Sequence, residues 1–88
     1  MSEVIAPIIH MNGTSAERLK EALSEVYLKL GESIDALRQC CPNGRDYYPE
    51  PGRMKLAEEQ HYRRIKVLRD LQAELERECE LIDAQSKR

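Results

Sequence analysis

The residues of this chain best equipped for chemistry sit in two short polar segments. The first is Asn43-Gly44-Arg45-Asp46-Tyr47-Tyr48. A tyrosine ring can stack on a nucleobase while a guanidinium pairs with phosphate, a combination that suits a nucleotide-type ligand. His61, Tyr62, Arg63 and Arg64 follow on the next helical segment. The same tyrosines could instead fold back as a lid over Leu37 and Ala57, and His61 falls on an apolar stripe, where a core histidine is the plainer reading. The second segment is His10-Met11-Asn12-Gly13-Thr14-Ser15. A turn ahead of a helix N-terminus presents unbonded amides and the positive end of the dipole, which suits phosphate or carboxylate. These residues also read as an ordinary capped helix start.

Other chemistries find little support. No serine–histidine–acid set can be placed together, and no glycine loop of the nucleotide-hydrolysing type is present, so the chain reads as a non-enzyme. Cys40, Cys41 and Cys79 are odd in number, and two are adjacent, a poor geometry for a bridge. They read as small helix residues in a reducing cytoplasm rather than as a metal site. No metal and no cofactor is expected. With a net charge of −2 and an isoelectric point near 5.7, the chain lacks the basic stripe of a duplex nucleic-acid binder.

The elements that must hold these segments are legible from periodicity. Residues 1–13 predict an extended arm: Val4 to Met11 is apolar and β-branched, and Pro7 excludes a helix interior. Such an arm would lie across a hydrophobic surface, its own or a neighbour's. Thr14-Ser15-Ala16-Glu17 matches a capping box and predicts a helix over 14–41. Its apolar positions Leu19, Leu23, Val26, Leu30, Ile34, Leu37 and Cys41 recur at helical spacing. Pro42 to Gly52 holds three prolines and two glycines, and predicts an irregular loop over 42–52. A second helix is expected over 53–84, with Met54, Ala57, His61, Ile65, Leu68, Leu71 or Gln72, Leu75, Cys79 and Ile82 on its stripe, and a frayed tail over 85–88.

The fold class expected is therefore all-α, a long antiparallel helical hairpin over 14–84 with an extended N-terminal arm. Narrow stripes on two helices cannot fully cover each other. A chain of 88 residues buries only roughly 60% of its unfolded surface. Self-association is the expected remedy, as a dimer or higher homo-oligomer. No run approaches the roughly 18 apolar residues of a membrane span. No basic region precedes an apolar stretch at the N-terminus, so a secretory signal is not expected.

Charge is unevenly spread. Residues 1–37 carry six acids and three bases, net −3; residues 38–69 carry eight bases and four acids, net +4; residues 70–88 return to net −3. In a hairpin this places positive charge at the loop end and negative charge at the open end. An anionic ligand or head-to-tail packing of protomers would each use such a pattern, and so would a merely solvated face with local ion pairs.

The segments Ile8-Ile9-His10-Met11-Asn12-Gly13-Thr14-Ser15 and Pro42-Asn43-Gly44-Arg45-Asp46-Tyr47-Tyr48-Pro49, with Gln60-His61 beyond them, resemble a pattern in small proteins of phages and prophages. That group has no established activity, so the resemblance implies a source rather than a reaction, with the cytoplasm of an infected bacterium as the expected location. In size and expected self-association the chain is also similar in character, though not in motif, to phage oligomers that sequester nucleotide signals of bacterial immunity. These include cyclic nucleotides and ADP-ribose derivatives. The expectation that follows is a non-enzymatic binding protein with a ligand at a subunit interface. Asn12, Gly13 and Thr14 would hold one anionic group, Arg45 and Arg64 another, with Tyr47 or Tyr48 stacking and His61 orienting. The alternative is a helical module that docks on a phage or host protein.

Overall fold

A computed structural model describes residues 3–86 and shows a chain that is helical wherever it is regular, with no strand among the described residues. Three helices follow the arm: α1 (Ala16–Arg38), α2 (Gly44–Tyr47) and α3 (Pro51–Ser86). The molecule measures 63 × 22 × 18 Å with a radius of gyration of 18.6 Å. A compact chain of this length would have about 12 Å. The difference shows how little of it is folded inward.

α1 and α3 lie side by side and run in opposite directions. Near one end the Lys20 ammonium donates to Asp83 Oδ1 at 2.6 Å. Further along, the Gln72 side-chain amide donates to the Tyr27 carbonyl at 3.1 Å. Gly31 faces the same amide, 3.5 Å from where its Cβ would stand. This register places the end of α1 near Ile65. At about 1.5 Å per residue, the first 14 residues of α3 project roughly 20 Å beyond it. The overhang changes where the basic residues sit. Arg63, Arg64, Lys66 and Arg69 surround the end of α1, a third of the way along α3, rather than its tip.

Each boundary has a local cause. Ser15, and not Thr14, caps α1: its side-chain oxygen accepts the Arg18 N–H at 3.2 Å, the satisfied amide expected of an N-cap. α1 stops at Arg38, three residues short of the expected 41. Pro42 disfavours helical geometry at Cys41, and the last turn has already tightened, with the Gln39 N–H donating to the Ala36 carbonyl and the Cys40 N–H to the Leu37 carbonyl. The segment 42–52 is not wholly irregular. Asn43 caps the single turn of α2, its side-chain oxygen accepting the Arg45 N–H at 2.9 Å. α3 begins at Pro51, two residues before the expected 53, because proline is pre-set for a first helical position.

The other end corrects the expectation of a frayed tail. Residues 85 and 86 are helical, and Gln85 holds the arm; residues 87 and 88 lie outside the described residues. The Ile9 N–H donates to Gln85 Oε1 at 2.9 Å, and Gln85 Nε2 donates to the Pro7 carbonyl at 2.8 Å. The arm thus rests on its own chain. Under it Ile82 is fully buried, at 0% exposure. Among the described residues only Ile34, at 5%, joins it as a buried hydrophobic side chain. A core of two side chains is thin support for so long a structure.

Candidate functional site

Eight residues stand as sequence candidates, and the structure divides them between two distant places. Asn12, Gly13 and Thr14 lie at the open end, where the arm turns into α1. The turn closes with the Gly13 N–H donating to the His10 carbonyl at 3.2 Å. The His10 ring lies over Gly13, with Nε2 only 2.8 Å from the position of a Cβ. No described glycine has positive φ, so this glycine is explained by the close ring and not by a left-handed turn. Asn12, Gly13 and Thr14 share an open depression with Arg18, Leu19 and Ala22.

Arg45, Tyr47, Tyr48, His61 and Arg64 lie toward the other end, but they do not converge on one spot. Tyr47 is half-buried against α3 and lines a groove with Arg53, Leu56, Ala57, Glu59, Gln60 and Arg63. Tyr48 is 77% exposed and stands outside that groove. Arg45 and Arg64 are exposed, and His61 is half-buried on the stripe of α3; none of the three lines the groove. Of the two tyrosines, only Tyr47 lies beside Ala57 in this groove.

The groove contains Arg53 and Gln60, which motif reading does not single out, and Arg63, which it names only as a neighbour of His61. Arg53, Leu56, Gln60 and Arg63 recur at steps of three and four, so α3 presents them in one row. That periodicity was the available signal. Arg53 is held by an ion pair to Glu50. Among the described residues Arg63 forms no ion pair. An aromatic face, a carboxamide and two cationic planar groups suit a nucleotide-type anion, while the Glu59 carboxylate in the same groove opposes one.

The rest of the surface offers less. Among the described residues no group of three or more His, Cys, Asp or Glu side chains could hold a metal ion. No helix of the described residues is long and apolar enough to cross a membrane. Cys40 and Cys41 are exposed and Cys79 is half-buried; all three thiols are free. Burial, followed by the charges of Glu78 and Asp83, pushes the Cys79 thiol pKa up, which disfavours its thiolate. Comparison with protein families, with curated proteins and with solved structures finds no match.

Proposed function

We propose that the chain is a non-enzymatic binding protein of phage origin. In this reading it is a helical hairpin that self-associates in the host cytoplasm and captures a small nucleotide-type signal at a subunit interface. The observation that carries the reading is the groove of Tyr47, Arg53, Gln60 and Arg63, which joins a stacking ring to two guanidinium groups. The groove is open to solvent, and a single chain supplies only one wall. The Asn12–Thr14 depression lies at the opposite end of a 63 Å molecule. A site using both would draw on two chains.

Thermal shift of the purified protein against cyclic nucleotides and ADP-ribose derivatives tests this. A ligand at 100 times its dissociation constant adds about 2.7 kcal/mol, a shift of several degrees or more for a small domain. The expected result is a large shift for one compound, recovered unchanged. Tyr47→Ala and Arg63→Ala should remove the shift, while Arg45→Ala and Tyr48→Ala should weaken it less. A flat panel sinks the reading.

A second reading, a module docking on a phage or host protein, is favoured by the apolar groups on the other side of the molecule. Leu28 and Tyr62 are 66% and 71% exposed there. A flat ligand panel, together with recovery of one stoichiometric protein partner, would support it.

A further inference from the structure

We infer that a second copy of this chain covers one particular side of the molecule, packed antiparallel to the first. The inference rests on the self-association in the reading above, but not on its ligand.

The side is defined by helical rotation. Each residue turns a helix by about 100°. In α1, Leu19, Ala22, Val26, Leu30, Ser33 and Leu37 recur at steps of three and four along one shoulder of the contact with α3, and none is charged. The opposite shoulder carries Glu17, Glu21, Glu25, Glu32 and Asp35 around Leu28. In α3, the shoulder displaced in the same rotational sense carries Leu56, Val67 and Leu71, with the polar Arg53, Gln60, Glu74 and Glu78 among them. Because the two helices run in opposite directions, shoulders of the same sense come to the same side of the pair. One side of the molecule thus exposes apolar residues along its length, with Val26 45%, Val67 60% and Leu56 65% exposed, and the other sets the acidic shoulder of α1 beside Lys20, Arg38 and Arg69. Both depressions described above belong to the first of these sides. One includes Leu19 and Ala22, the other Leu56.

Charge selects the occupant and its direction. Residues 38–69 carry net +4, and the remainder of the chain carries net −6. The division between Arg69 and Asp70 falls near the mid-length of α3. A copy laid parallel would set like charge on like. Turned about a two-fold axis at mid-length, each positive half lies along the other's negative half. The same rotation sets Leu19 and Ala22 of one copy level with the first turns of the other's α3. The Asn12–Thr14 depression then faces the Tyr47–Arg63 groove, twice per pair. It also brings the exposed apolar residues of the open end, Ile5, Ile8 and Met11, toward Leu56 and Tyr48 of the loop end.

Sedimentation equilibrium of the full chain and its variants is the first measurement. The wild type is expected to associate, at least as a dimer. Val26→Glu and Val67→Glu should each weaken association at least tenfold, and Leu28→Glu, on the acidic shoulder, should leave it unchanged. Because the valine variants could fail to fold alone, direction is read separately on an associating background. Cys40, Cys41 and Cys79 are replaced by alanine, and a spin label is placed at Lys55→Cys. Antiparallel packing about mid-length puts the two labels roughly 40 Å apart, by the rise of about 1.5 Å per residue, whereas parallel packing brings them within about 20 Å. A monomeric wild type overturns the inference, as do close labels or a Leu28→Glu effect equal to that of Val26→Glu. An antiparallel pair that binds no nucleotide would sink the ligand reading and leave this one standing.

Discussion

The backbone N–H of Ile9 donates to the side-chain oxygen of Gln85 at 2.9 Å, joining residues 76 positions apart. The other end of the same amide reaches the Pro7 carbonyl. One side chain therefore holds both a donor and an acceptor of an arm that contributes no regular structure of its own. Replacing Gln85 with alanine removes both bonds, at about 1 kcal/mol each. Amide exchange at Ile9 should accelerate, and proteases should cut the arm first; unchanged exchange would show that apolar contact alone holds it.

Ile82 gives the largest effect of any single truncation. Among the described residues it is the one fully buried large side chain, and Ile→Ala in such a site costs about 2–5 kcal/mol through lost burial and the cavity left behind. With so little other core, Ile82→Ala is expected to lose its cooperative melt at micromolar concentration. A transition lowered by only a degree or two would mean that the core lies elsewhere, in contacts between chains.

The Lys20–Asp83 pair sets an alkaline limit. The hydrogen bond to Asp83 raises the lysine pKa above its ordinary 10.5, outweighing the opposing effect of burial. A raised pKa means that the folded state holds its proton more tightly than the unfolded state does. The associated stability is therefore complete below pH 10.5 and is lost as pH rises through the higher folded value. Lys20→Met should flatten this part of the stability–pH curve. A decline of equal size in the variant would assign it to other groups.

Thiol labelling should separate the cysteines. Cys40 and Cys41 are exposed, while Cys79 is half-buried with its pKa pushed up. At neutral pH two thiols are expected to react quickly and the third slowly. The third should become fast in Ile82→Ala. Three equal rates would mean that the end of α3 opens readily.

Gly13→Ala tests the fit of the open-end turn. A new Cβ would stand 2.8 Å from His10 Nε2, the far end of a side chain that can swing away. The cost should stay below about 1 kcal/mol, since no unusual backbone angle is involved. The His10 ring resonances should nonetheless move. Ring signals that do not move would place the imidazole elsewhere in solution.

The helices were legible in the sequence because apolar residues at steps of three and four carry over long segments, as from Leu19 to Leu37. Their ends were less so. Thr14 and Ser15 are both competent caps, and only the position of the hydroxyl relative to Arg18 decides between them. Pro51 reads as loop among its neighbours Pro49 and Gly52, yet a proline opens α3. The loop-end groove was hidden for a different reason. Its members Arg53, Gln60 and Arg63 look like ordinary surface residues until Tyr47 is laid beside them, and no local pattern announces that contact.

The two-residue core has one more consequence. If neighbouring copies complete what each chain lacks, the folded fraction becomes a function of how much protein has been made. Diluted, the chain is easy prey for proteolysis; produced in a burst, it crosses a threshold and persists. Abundance then acts as its own timer, and the melting temperature should climb with each tenfold rise in concentration.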